Sequence, residues 1–144
     1  MPPFSETVLM EILARHAGRE GALLPILHDV QDQFGCVPAE AVSPIARALN
    51  LSRAEVHGTI SFYHDFRREP ASKPVVKLCR AEACQARGVD RLAPLFESDP
   101  AIAVETVYCL GLCASGPSAM VGGEVYARLD EEKARQLIRK AALA

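Results

Sequence analysis

The spacing of the apolar residues changes near residue 70, and this change constrains the fold more than any other feature of the chain. Before it, apolar residues recur every three or four positions, a spacing typical of amphipathic helices. After it, they form short runs or alternate with polar residues, as in strands. A polar, proline-flanked stretch (RREPASKP) at 67–74 separates the two patterns. The sequence therefore predicts an α+β chain with a small helical bundle at 1–70 and a second domain at 71–144.

Four helices joined by short loops are predicted in the first domain. Gly35 is the natural C-cap of the second helix. The helical pattern at 39–49 contains Pro44, which favours a helix start at a Ser43 cap. The fourth helix opens on the capping-box sequence at 52–55. The expected helices begin near residues 5, 22, 39 or 43, and 52.

The second domain is predicted to be a small sheet of mixed strand direction with helices packed on it, in the order β-α-β-β-β-α. The first strand ends at Cys79 and the second delivers Cys109. Pro94 argues for a kink or an early end of the intervening helix. The expected elements are a strand at 75–78, a helix at 88–96, a strand at 102–108, a hairpin around Gly122–Gly123 and a last helix capped by Asp130.

Charge and hydropathy limit the function classes. The 144 residues include 16 Lys and Arg against 18 Asp and Glu, for a net charge of −2, which argues against a nucleic-acid partner bound by bulk charge. No uninterrupted apolar run exceeds four residues, so direct membrane insertion is not expected. The first residues carry Glu6 and Glu11 and lack the basic start of a signal peptide. We expect a soluble, cytoplasmic protein.

Cysteine is the exception to this ordinary composition. Four of the five cysteines form two close pairs, Cys79 with Cys84 and Cys109 with Cys113, while Cys36 stands alone. Each pair begins where a predicted strand runs into a loop. Because a rigid sheet holds such loops in place, four sulfurs from two of them can converge on one point. The second half of the chain is therefore where function is sought.

Three chemistries fit four convergent cysteines: a [2Fe–2S] cluster, a structural zinc ion and two disulfides. Disulfides are disfavoured by the expected compartment. Zinc sites usually have two residues between paired cysteines, and neither cysteine pair here has that spacing. The cysteine spacing of plant-type ferredoxins does not match this chain either. A thioredoxin-type dithiol is disfavoured because the chain has no C-x-x-C. Spacing alone leaves iron–sulfur and zinc open.

The cysteine blocks carry a family resemblance. They resemble the 24-kDa-type [2Fe–2S] subunit of NADH dehydrogenase (complex I), a subunit type shared by NAD-reducing hydrogenases and NAD-dependent formate dehydrogenases. The similarity covers roughly residues 20–140 in one colinear register. The segments that carry it are Cys79-x₄-Cys84, Cys109-Leu110-Gly111-Leu112-Cys113 with Pro117, Leu24–Leu27, Gln33–Gly35, Val37–Pro38, Val56-x-Gly58 and Ser61–Tyr63.

The resemblance implies a thioredoxin-like [2Fe–2S] ferredoxin domain after the helical bundle, and an electron carrier with no active site of its own. One [2Fe–2S] cluster would be its cofactor, with FMN and NAD bound only in a partner subunit. The cofactor-binding residues, which are also the metal ligands, would be Cys79, Cys84, Cys109 and Cys113. The alternative from a different functional class is a zinc-binding interaction module with four cysteine ligands.

The resemblance also suggests which complex the chain serves. Only 24 residues (85–108) separate the two cysteine pairs, and the segment CRAEACQARG surrounds the first pair. This compact form looks most like the gamma subunit of cytoplasmic, molybdenum-containing, NAD-dependent formate dehydrogenases. The molybdenum-containing catalytic subunit would then be an indirect partner. NADH:quinone oxidoreductase and NAD-reducing hydrogenase are the alternatives.

Several residues outside the ligand set are singled out. Arg80 and Arg87 flank the first pair and could offset a cluster's negative charge, although solvated surface arginines are the favoured reading. Cys36 is interpreted as a small buried hydrophobe, because four ligands saturate the cluster. No histidine is nominated, and no G-x-G-x-x-G or P-loop predicts nucleotide binding. Gly111 and Gly116 are further candidates near the cluster, and Phe62, Tyr63 and Phe66 are candidates for docking, with core packing favoured for Phe62.

Overall fold

A computed structural model describes residues 4–143 of the chain. It divides into a helical unit that ends at Ala71 and an α/β unit that begins at Ser72. The α+β fold class is confirmed. In the described residues, no helix is both long enough and apolar enough to cross a bilayer.

The helical unit contains the four predicted helices. Their apolar faces pack into one core, to which Leu9 and Ile12 contribute from the first helix and Leu27 and Val30 from the second. Gly35 ends the second helix in the left-handed region, at a φ of 75°, as predicted. The helices are α1 (Glu6–Arg15), α2 (Leu23–Phe34), α3 (Ala39–Leu49) and α4 (Arg53–Phe62).

Helix α3 starts at Ala39, the first residue of the predicted helical pattern, so the alternative start at a Ser43 cap is wrong. Pro44 lies inside the helix, where the missing N–H and the ring normally cost about 3 kcal/mol. The same helix buries Ala41, Ile45 and Ala46 in the core. Packing of this face against the other helices offsets the local cost, which the propensity of Pro44 alone does not reveal.

The capping box at the start of α4 is present as predicted. The Ser52 side chain accepts a hydrogen bond from the backbone N–H of Glu55 at 3.1 Å, and the Glu55 carboxylate accepts one from the Ser52 N–H at 2.8 Å. These reciprocal bonds satisfy two N–H groups that a helix start otherwise leaves unpaired.

The α/β unit is built on a four-stranded mixed sheet in the order β2-β1-β3-β4. Strand β1 runs parallel to β2 and antiparallel to β3, which forms the predicted hairpin with β4. The elements are β1 (Val75–Cys79), α5 (Glu82–Ala86), α6 (Val89–Glu97), β2 (Ala103–Val107), a 3₁₀ turn (Cys113–Ser115), β3 (Ala119–Val121), β4 (Glu124–Tyr126) and α7 (Glu131–Ala142).

Two details of this unit differ from the prediction. Helix α5 was not predicted, because its five residues are too few to show a helical period. Helix α6 continues to Glu97 without ending early at Pro94. As in α3, residues on both sides of the proline, among them Leu92 and Phe96, are buried and hold the helix together.

The parallel pairing of β1 and β2 positions the two cysteine loops. In the register of this pair, Cys79 is the partner of Val107. Because parallel strands end at the same edge of a sheet, the segments that follow β1 and β2 emerge side by side. The core beneath them contains Val76, Leu78, Val89, Phe96 and Ile138.

Candidate functional site

The site begins where β1 and β2 end. The backbone N–H of Arg80 donates to the carbonyl of Val107 at 2.9 Å, which ties the two strand ends together. Cys109 has a φ of 93°, a left-handed conformation that is strained for a residue with a side chain. Such strain persists only where the surrounding structure imposes it, and it often marks functional sites.

Cys79 is buried, and its sulfur lies among backbone donors. Burial raises the pKa of the Cys79 thiol, yet its pKa lies below the ordinary value because hydrogen bonds outweigh burial. The donors are the N–H groups of Ala81, Cys109 and Leu110, together with the Cys84 side chain. Hydrogen bonds of this kind favour the thiolate, which is the form that binds iron or zinc.

Cys84 lies on α5 and is also buried, with 2% of its surface exposed. Its sulfur is 3.6 Å from the hydroxyl oxygen of Ser118. A Cβ at Gly116 would lie 3.1 Å from the same sulfur and 3.3 Å from Cδ of Arg87. Gly116 therefore allows the loop before β3 to approach Cys84 closely.

Cys109 and Cys113 are exposed, in contrast to the first pair. Their sulfurs are 3.4 Å apart, and the N–H of Gly111 donates to the Cys109 sulfur at 3.3 Å. The hydrogen bond with Cys109 and repulsion from its charge raise the pKa of Cys113, and the charge of Cys84 raises it further. The two segments meet where the backbone N–H of Cys109 donates a hydrogen bond to the Cys79 sulfur.

The donor set fits a two-iron cluster. All five cysteines, each within the described residues, are free thiols, and the 3.4 Å between Cys109 and Cys113 is longer than the roughly 2.0 Å of a disulfide. Four of these thiols form two pairs, one in the segment that follows β1 and one in the segment that follows β2. Among the described residues, no three or more of the candidate ligands are close enough to hold a single metal ion. A [2Fe–2S] cluster distributes four thiolates over two irons, so two separate pairs suit it.

Arg80 has a different role from the predicted ones. Its guanidinium donates to Asp90 at 2.8 Å and to Glu97 at 3.2 Å, both on α6. Gln85 donates from its side chain to the Arg80 carbonyl at 2.7 Å. Arg80 therefore anchors the loop after β1 to α6, and two carboxylates offset its charge. It is neither a free counter-charge for a cluster nor a simply solvated arginine.

Gly111 supplies a conformation that other residues rarely adopt. Its φ is 78°, and its N–H points at the Cys109 sulfur in this geometry. Arg87 is exposed, with its aliphatic stem beside Gly116.

The remaining candidates lie in the helical unit. Cys36 is buried, and burial raises the pKa of its thiol. Phe62 is 73% exposed, so the favoured prediction of core packing for this residue is wrong. Its solvent position arises because α4 turns Val56 and Ile60 toward the core instead. Tyr63 is 43% exposed, whereas Phe66 is buried and belongs to the core.

Ser118 was missed by sequence reasoning. A serine just before a short strand carries no local signal of burial, and only the folded chain places its hydroxyl beside Cys84.

The comparisons with known proteins identify the family. The family model described as thioredoxin-like [2Fe–2S] ferredoxin matches residues 9–142. The chain belongs to this family, and its cofactor is one [2Fe–2S] cluster. The resemblance to the 24-kDa-type subunit is confirmed, because relatives of this chain are named as subunits of NADH-quinone oxidoreductase and of a hydrogenase.

Three relatives illustrate the range. The HndA component of the NADP-reducing hydrogenase of Solidesulfovibrio fructosivorans is 29% identical, over 83% of this chain and 77% of the relative. A component of the NADH-quinone oxidoreductase of Aquifex aeolicus is 27% identical, over 96% of this chain and 94% of the relative. The corresponding component from Mycobacterium tuberculosis is 30% identical, over 89% of this chain and 55% of the relative.

This chain also resembles part of a solved hydrogenase structure. An NAD⁺-reducing [NiFe]-hydrogenase in the H₂-reduced state matches with a TM-score of 0.70 and 26% sequence identity. The match covers 85% of this chain and 22% of the hydrogenase chain, so the present chain corresponds to about a fifth of that polypeptide.

Proposed function

We propose that this chain is an electron-transfer subunit whose [2Fe–2S] cluster is held by Cys79, Cys84, Cys109 and Cys113, next to the flavin of a partner subunit that binds NAD(H). The observation that carries the proposal is the arrangement of four free cysteines as two pairs in the segments that follow two adjacent parallel strands. A bound cluster supplies one-electron chemistry, which none of the protein's own side chains provides.

The residues around the sulfurs perform three tasks. The N–H groups of Cys109 and Leu110 stabilise negative charge at Cys79. The interior of the unit keeps water from the buried pair, while the second pair faces outward. Tyr108, next to Cys109, is 77% exposed, and exposed aromatics are enriched at protein interfaces. This exposed edge is therefore the face at which we place the flavin-containing partner.

The test separates an iron–sulfur subunit from a zinc-binding module. The purified chain is expected to be coloured, to contain two irons and two acid-labile sulfides, and to show an EPR signal on reduction with dithionite. Replacement of any one of the four cysteines by serine is expected to reduce or abolish these signals, whereas Cys36→Ser serves as the control and keeps them. A colourless protein with one zinc and no labile sulfide would contradict the proposal.

The finer assignment is to a cytoplasmic NAD-dependent formate dehydrogenase containing molybdenum. Its support is the compact segment of 24 residues at 85–108 and the sequence around the first cysteine pair, which resemble the gamma subunit of that enzyme. The named relatives instead belong to a hydrogenase and to NADH-quinone oxidoreductases, which are the competing parents. Purification of the native complex through a tag on this chain distinguishes them. Formate-dependent NAD⁺ reduction with bound molybdenum is expected, and hydrogen-dependent reduction or quinone reduction would assign the chain elsewhere.

A further inference from the structure

Ser118 is a polar residue in a fully buried position. Among the polar and charged residues in the described part of the chain, it alone is fully buried, with 1% of its surface exposed. A buried hydroxyl without a hydrogen-bond partner is costly, because it loses its bonds to water and gains none in return. Its surroundings must therefore provide a partner, and the structure shows which one.

The backbone of Ser118 already serves the first cysteine loop. Its carbonyl accepts a hydrogen bond from the N–H of Cys79 at 3.0 Å, which extends the β1–β3 ladder by one step. Both sides of this contact are buried. The backbone thus holds Ser118 in place with respect to the buried cysteine pair.

The side chain contacts the other buried cysteine. The Ser118 hydroxyl oxygen lies 3.6 Å from the Cys84 sulfur, a hydrogen-bond distance for an atom as large as sulfur. With a neutral thiol, either group can donate. A thiolate ligand has no proton, so the hydroxyl becomes the donor and the sulfur the acceptor.

We infer that Ser118 tunes the cluster by donating a hydrogen bond to the Cys84 thiolate, and that it raises the reduction potential. This inference rests on the proposed function, because it requires Cys84 to be a ligand. Reduction adds one electron and hence one negative charge, and a hydrogen bond to a ligand sulfur stabilises the more negative state more strongly. Burial strengthens this effect, since water does not compete for the sulfur.

The experiment compares potentials in full-length variants with the cluster assembled. S118A removes the hydroxyl group and introduces no larger side chain in its place. The pair S118T and S118V tests the same point at constant shape, because threonine and valine differ there by a hydroxyl against a methyl group. Ser98→Ala, on the exposed C-cap of α6, is the control. Each protein is titrated with dithionite, and the EPR signal of the reduced cluster reports the fraction reduced.

The expected result is a lower potential for S118A than for the wild type, and a lower potential for S118V than for S118T, with Ser98→Ala unchanged. Pulsed EPR in D₂O is expected to show an exchangeable deuteron coupling that is present in the wild type and weakened in S118A. Equal potentials within either pair of proteins would overturn the inference. If one of the larger variants does not fold, the comparison of S118A with the wild type decides.

The two proposals fail in different ways. If the wild-type chain contains no iron or sulfide, the proposed function is wrong and the inference with it. If all variants contain the cluster and titrate at one potential, the proposed function stands and only the role of Ser118 is wrong.

Discussion

At the scale of single residues, the site depends on how closely backbone segments approach the sulfurs. Gly116 shows this most clearly, since it is buried and its φ of −66° is open to any residue. Glycine is needed at this position because a side chain would not fit, and not because the backbone conformation excludes other residues. The Cys84 sulfur and the stem of Arg87 occupy the volume that a side chain would need.

We predict that Gly116→Ala disturbs the cluster loop. The added Cβ would lie 3.1 Å from the Cys84 sulfur, so that either the loop or α5 must shift. Overpacking of this kind costs about 1–3 kcal/mol. Iron and labile sulfide per chain are expected to fall, together with the midpoint of thermal unfolding.

Gly58→Ala provides the matched control for this prediction. Gly58 lies within α4, and a Cβ there would meet nothing within 4 Å. The same substitution is therefore expected to stabilise the chain by about 0.5–1 kcal/mol and to leave the iron content unchanged. Full iron content and an unchanged unfolding midpoint in Gly116→Ala would show that the loop has room to spare.

At the scale of elements, a small ionic cluster joins α1 to α2. Asp29 on α2 accepts hydrogen bonds from His16 Nε2 at 2.9 Å and from Arg15 at 3.1 Å. The hydrogen bond with His16, supported by Arg15, holds the pKa of Asp29 below its ordinary value of 3.8 despite partial burial.

We predict a pH-dependent cost for Asp29→Asn. Because the folded state lowers the pKa, the carboxylate stabilises the fold above about pH 4, and this contribution is lost as the pH falls through the lowered pKa. The Asp29 side chain is 36% exposed, so solvent screening limits the effect to about 0.5 kcal/mol at neutral pH. Urea unfolding at several pH values is the measurement.

Asp32→Asn is the control for this effect, because Asp32 is exposed on the same helix and takes no part in these ion pairs. It is expected to change stability little. A difference between Asp29→Asn and the wild type that persists unchanged below about pH 3 would contradict the electrostatic explanation.

At the scale of the whole molecule, the helical unit presents an aromatic surface suited to a partner protein. Phe62 and Tyr63 are exposed, and their rings meet edge to face with centroids 5.1 Å apart. They border a groove of about 470 Å³ that Leu23, Leu51 and Gly58 also line. We propose that this surface is a second contact of the flavin-containing subunit, in addition to the exposed cluster edge, because aromatic side chains are enriched at interfaces.

We predict that Phe62→Ser and Tyr63→Ser together weaken assembly with the partner by about tenfold or more, because truncated aromatic anchors commonly cost at least about 1.4 kcal/mol. The visible spectrum and reduction potential of the isolated chain are expected to stay unchanged. Copurification and titration with the partner subunit measure the effect. Met10→Ser, at a residue 54% exposed on α1, is the control. Unaltered affinity in the double variant would place the interface elsewhere.

The order of residues was enough to predict most of the helical and strand segments, with α5 as an exception, and also the capping box at Ser52 and the two cysteine pairs. These features depend on hydrogen bonds and side-chain periods among residues close in the chain, which the sequence displays directly. The sequence also indicated the family, through the resemblance of its cysteine blocks and helical segments to those of known members, although cysteine spacing alone left iron–sulfur and zinc open.

Folding in three dimensions was needed to establish which cysteine pair is buried, what Arg80 binds and where the Ser118 hydroxyl points. Tertiary packing also kept α3 and α6 continuous through Pro44 and Pro94. Each of these outcomes depends on contacts between segments far apart in the chain. Burial and packing across the sheet and between helices outweigh local secondary-structure propensity at these positions. Neighbouring residues in the sequence do not indicate these long-range contacts.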